Sequence, residues 1–85
     1  MTLKELVSKY ISRVELVFVE IKVTQNMTCI NIHKIEDIIN HAKLYLEDAK
    51  YYERRNKLET SLTSVSYCEG ILDALLLLGI VEFSW

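Results

Sequence analysis

Glu69 and Asp73 stand four residues apart in an otherwise apolar stretch, Tyr67-Cys68-Glu69-Gly70-Ile71-Leu72-Asp73-Ala74-Leu75. On a helix that spacing sends both carboxylates along one side, and burying them requires cationic or hydrogen-bonding partners. Arg13, a lysine or tyrosine hydroxyls can supply those partners and so set helix register. Holding a cation with two hard oxygen ligands needs further groups that the sequence does not place. A structural role therefore ranks first, a ligand role second and catalysis last. Tyr67, beside Gly70 and Ala74, suits close packing against a neighbouring helix with its hydroxyl on a polar partner. Asp48 and Tyr52 are also four apart and can meet Tyr67 or Asp73 across a hairpin. Asp48, Tyr52, Tyr67, Glu69 and Asp73 are thus the candidate ligand-binding residues.

Other constellations carry less. His33, Asp37 and His41 recur every fourth residue, a helical spacing that can place metal ligands together, but they lie opposite an apolar stripe with no thiolate or glutamate to close the shell. A solvated polar face explains them better, and no metal is assigned. Lys50-Tyr51-Tyr52-Glu53-Arg54-Arg55-Asn56-Lys57 interleaves basic and aromatic residues as some nucleic-acid binders do. Charge compensation at a helix C-terminus accounts for the same residues. Cys29 and Cys68 lie far apart, with no Cys-x-x-Cys spacing, and are expected to be reduced thiols. No nucleophile elbow, phosphate-cradling glycine loop or dinucleotide fingerprint occurs, so neither an enzyme nor a cofactor is expected.

The elements that must position these residues are helices. In 85 residues there is no proline and only two glycines, too little punctuation for a sheet of several tight turns. One domain spanning residues 1–85 is expected at this length. A net charge of -2 offers no general attraction to nucleic acid or anionic lipid. No apolar run approaches a membrane span, and the acidic residue near the start is unlike a signal peptide, so a cytoplasmic location is expected.

Thr2-Leu3-Lys4-Glu5 has the pattern of a capping box and starts the first helix, expected over 2–23. Leu3, Leu6, Val7, Tyr10, Val14, Val17, Phe18 and Ile21 form its core stripe. Leu16, Val19 and Val23 form a second apolar stripe on the opposite face. Val17 to Thr24 is also rich in β-branched residues, a competing strand signal. A connection follows over 24–31. The second helix is expected over 31–55, with Ile35, Ile38, Ile39, Ala42, Leu46, Ala49 and Glu53 on one face and Tyr45 and Tyr52 at its edge, ended by Asn56 as a left-handed residue. The third spans 58–78, ends at Gly79 and is apolar nearly all round. The last six residues, Ile80 to Trp85, are too apolar for a free tail and should fold back, with Trp85 as a packing plug.

Together these readings predict an all-α fold, a three-helix up-down bundle with a short C-terminal tail packed on it. The stripe Leu16, Val19, Val23 with Leu44 and Tyr51 exceeds what one small bundle can cover. A homodimer or another protein partner is therefore expected, with these five residues at the interface.

Three segments, Tyr45-Leu46-Glu47-Asp48-Ala49-Lys50-Tyr51-Tyr52, Ser66-Tyr67-Cys68-Glu69-Gly70-Ile71-Leu72-Asp73-Ala74-Leu75 and Leu78-Gly79-Ile80-Val81-Glu82-Phe83-Ser84-Trp85, carry a family likeness. They resemble the archaeal domain of unknown function 357 family, whose signature looks like Tyr, Glu, Gly, Leu, Asp, Ala, Leu, then Leu-Gly and a terminal aromatic. The resemblance covers 45–85 and implies a small three-helix protein with no established activity. It also implies kinship with domains attached to nucleotidyltransferase-like domains. Where relatives often carry Gly-Asp in the turn, this chain has Arg55-Asn56-Lys57. The function expected is a non-enzymatic interaction or scaffold module. The alternative is a small-ligand or nucleotide-related binding domain acting with a nucleotidyltransferase.

Overall fold

The structure is a computed structural model that describes residues 1–24 and 30–85. The chain runs α1 (Leu3–Glu20), β1 (Lys22–Val23), α2 (Ile32–Arg54), α3 (Leu58–Leu77) and β2 (Val81–Glu82). The three helices pack as an all-α bundle. Cys29 and most of the connection expected over 24–31 lie outside the described residues. Among those described, no helix is long and apolar enough to cross a membrane.

Four of the six helix ends have a local cause. Thr2 Oγ1 accepts from the Glu5 N–H at 3.2 Å while Glu5 Oε1 accepts from the Thr2 N–H at 3.3 Å, the reciprocal capping box. Asn31 caps α2 by accepting from the His33 N–H at 2.7 Å. Asn56 takes a left-handed φ of 58° after α2, and Gly79 takes 74° after α3. Both ends close with the same pair of hydrogen bonds, from Asn56 N–H to Glu53 O and Lys57 N–H to Tyr52 O, and from Gly79 N–H to Leu76 O and Ile80 N–H to Leu75 O. The second pair turns the chain so that Ile80 is buried against Leu75.

The core has two contiguous parts. Val7, Ile11, Val14 and Val17 of α1 meet Ala42, Leu46 and Ala49 of α2 and Val65, Cys68 and Leu72 of α3. Ile35, Ile39, Leu75, Ile80 and Val81 fill the end where the tail returns. Ser61, fully buried, donates its hydroxyl to Ala49 O at 2.6 Å and so meets the requirement that a buried polar group be bonded.

Four sequence expectations change. The first helix stops at Glu20, three residues early, because Ile21 leaves helical geometry at φ -59°, ψ 134°. Val23 then pairs antiparallel with Val81, and Lys22 with Glu82. The β-branched residues there find a strand partner in the returning tail, a long-range contact that overrides the helical period. Val23 consequently packs into the second part of the core and is not part of an open stripe with Leu16 and Val19. Ile38 and Leu3, expected inward, are exposed, whereas Ile11, absent from the expected stripe, is buried. Trp85 is not a buried plug: it is 42% exposed and packs edge-on against Phe83 at 5.0 Å.

Candidate functional site

Glu69 sits on the side of α3 that faces α1, where Arg13 Nη2 donates to both of its carboxylate oxygens at 2.7 and 2.9 Å. The guanidinium also lies over the Tyr10 ring at 4.9 Å and over Trp85 at 5.4 Å, within cation–π range of both. One helical turn on, Asp73 Oδ1 accepts from Trp85 Nε1 at 3.2 Å. Upstream of Trp85, the Ser84 N–H donates to Glu20 at the end of α1. These bonds hold the tail across the ends of α1 and α3. They leave an open cleft of about 390 Å³ lined by Arg13, Ser66, Glu69, Gly70, Asp73 and Trp85.

The positive charge of Arg13 is engaged by Glu69, so Asp73 leaves the cleft acidic. Among the described residues, Ser66 is the one hydroxyl-bearing side chain on the wall, and no His or Lys lines the cleft to act as its base.

Tyr67 points to the other flank of α3. Its ring packs on Tyr45 at 4.4 Å, and His41 meets Tyr45 edge-on at 5.2 Å. Tyr67 lines a second cleft with Asp37, Ile38, His41 and Ile71. Of the five candidate ligand residues, then, Glu69 and Asp73 share one cleft, Tyr67 faces away from it, and Asp48 and Tyr52 line neither. Tyr52 packs edge-on against Tyr51 at 5.3 Å, and Arg55 covers the Tyr51 ring at 5.1 Å. Among the described residues no group of three or more His, Cys, Asp or Glu side chains could hold a metal ion, the His33, Asp37, His41 row included. Cys68 is a fully buried thiol that burial, with a smaller contribution from neighbouring Glu69, pushes up to about 12.

Of the apolar candidates, Val19 lines a groove between α1 and α2. This groove of about 420 Å³ has Phe18 and Leu46 on its floor and Val19 at its edge, with Glu15, Lys43, Glu47 and Lys50 around it. Lys50 Nζ bridges Glu15 at 3.1 Å and Glu47 at 3.8 Å. The hydrogen bond and charge of Glu15, with the charge of Glu47, raise the Lys50 pKa above its ordinary value. Val19 is 84% exposed, Leu16 lies one turn before it, and Leu44 and Tyr51 are exposed on α2. Sequence reasoning had no means to place Trp85 beside Arg13 and Asp73, since the first contact spans 72 positions and is made by the tail.

A family model described as a protein of unknown function, DUF357, matches residues 9–81. No curated protein and no solved structure matches the chain.

Proposed function

We propose, for a chain that belongs to the DUF357 family, a non-enzymatic interaction module that self-associates through the α1–α2 face. The observation that carries this reading is the exposure of Val19 at the edge of a groove floored by Phe18 and Leu46, with Leu16 exposed one turn before it on α1 and Leu44 exposed on α2. Large aliphatic side chains held in water beside a concave apolar floor gain free energy when a partner covers them. The rim supports a second copy as that partner. Glu15 and Glu47 balance Lys43 and Lys50, and a two-fold contact presents the same patch from both sides, so a rim of mixed sign can complement itself. The net charge of -2 adds little repulsion between copies.

Sedimentation equilibrium tests this directly. The native chain should be dimeric at high micromolar concentration, and the pair Leu16→Lys with Val19→Lys should be monomeric with an unchanged far-ultraviolet circular dichroism spectrum. A native chain that stays monomeric at that concentration overturns the proposal. The small-ligand alternative depends on the Glu69 and Asp73 cleft and is tested by a thermal-shift screen of nucleotides, flavins and divalent metals.

A further inference from the structure

The outer face of α3 is apolar and small where a solvent-facing helix ordinarily carries charge. Leu77 is 80% exposed, and Leu78 and Tyr67 are exposed with it. Ser66, Gly70 and Ala74 follow at every fourth residue, all exposed, on the side opposite buried Val65, Cys68 and Leu72. Gly70 lies at the centre of this face, and a Cβ built there meets nothing within 4 Å. Among the described residues no packing contact requires a glycine at that point. What its missing side chain allows is close approach by a backbone from outside.

Charge narrows the identity of the visitor. α3 carries Glu59, Glu69 and Asp73 and no Lys, Arg or His. The nearby cation, Arg13, is engaged by Glu69, and Asp73 offers one oxygen to Trp85 while its cleft stands open. We propose that this face docks a basic amphipathic helix of a different protein, whose apolar side crosses α3 over Gly70 while a Lys or Arg reaches Asp73 beside Trp85. A second copy fits poorly here, because α3 against α3 sets acid beside acid with no cation on either helix. Nucleic acid and anionic lipid meet the same repulsion. Tyr67 and Trp85 flank the crossing point on opposite sides, and both are residue types that anchor protein contacts. The surface is distinct from the α1–α2 groove, so the two proposals stand or fall separately.

Trp85 is the only tryptophan in the chain, so its emission reports docking at this face. The probe is a synthetic helix of about five turns with Leu and Ala on one side and Lys on the other, compared with the same peptide carrying Glu in place of Lys. The full chain should bind the Lys peptide saturably and about tenfold or more tightly than the Glu peptide. Gly70→Leu should weaken binding by about tenfold or more, by obstructing the crossing point. Asp73→Asn, which keeps an acceptor for Trp85, should weaken it severalfold and flatten its salt dependence. Leu16→Lys should leave it unchanged. Ala74→Lys serves as an independent blocking variant if Gly70→Leu fails to fold. No saturable binding, equal binding of the two peptides, or Lys-peptide binding insensitive to Asp73→Asn and to the folded blocking variant overturns the proposal. Ready disulfide formation between two copies of Gly70→Cys at low micromolar concentration assigns the face to a second copy and overturns it as well.

Discussion

Where Ala49 meets Ser61 the seam between α2 and α3 is tightly closed, whereas the seam between α1 and α2 opens into a groove at Phe18 and Leu46, and the difference lies in side-chain size at the contact. Ala42 and Ala49 let α2 approach closely enough for the Ser61 hydroxyl of α3 to reach Ala49 O at 2.6 Å. Across the other seam Phe18 and Leu46 leave a groove of about 420 Å³, bridged at the surface by Lys50 and Glu15 at 3.1 Å. Small residues with one satisfied hydroxyl thus make a joint within the fold. Bulky residues ringed by paired charges leave a surface on which another chain can rest.

The largest expected effect concerns Cys68, behind the closed seam. In a Cys29→Ser background its alkylation by iodoacetamide at pH 8 should be on the order of a thousandfold slower than in the unfolded chain, because a thiol at about 12 rather than 9.0 holds that much less thiolate. The same shift has a stability consequence. Its contribution is fully present below pH 9.0 and is lost as pH rises toward about 12, so denaturation midpoints should fall over that window and fall less in Cys68→Ala. Rapid alkylation of the native protein would show that the closed seam opens.

Next in size, Ala49→Leu should cost about 1 to 3 kcal/mol in urea denaturation, since a close-packed joint has no room for the added atoms. Val19→Leu at the open seam should change stability by less than about 0.5 kcal/mol. Equal effects at both positions would erase the contrast. Ser61→Ala should cost about 1 kcal/mol, the net worth of one intramolecular hydrogen bond.

The smallest effect is expected for Lys50→Ala, which removes a solvent-screened bridge. Its lowering of the melting temperature should disappear in high salt. Because its partners raise the Lys50 pKa, whatever stability it supplies is present below pH 10.5 and lost above, as the amine deprotonates. A salt-independent effect would place the bridge among the packed contacts instead.

Much of the architecture was legible from local rules. The Thr2–Glu5 box, the Asn31 cap, and the Asn56 and Gly79 turns each depend on residues within one helical turn of one another. The candidate site was legible only in part. The spacing of Glu69 and Asp73 marked them, and Arg13 was among the partners it allowed. Asp48, Tyr52 and Tyr67 were grouped with them because a hairpin brings α2 to α3, but which flank of α3 each faces depends on how the helices are rotated. Periodicity along one helix contains no information about its rotation relative to another.

Sequence alone determined the three helices and every end but that of α1, because the 3.6-residue period and capping chemistry act over a few neighbouring positions. The tertiary structure decided whether Val23 belonged to a helix or a strand, where Trp85 came to rest and which apolar stripe was left uncovered. Val23 lies 58 positions from Val81 and Arg13 lies 56 from Glu69. Contacts of that range exist only after the chain has closed on itself, and their free energy outweighs the propensity differences, of a kcal/mol or less per residue, on which a local reading depends.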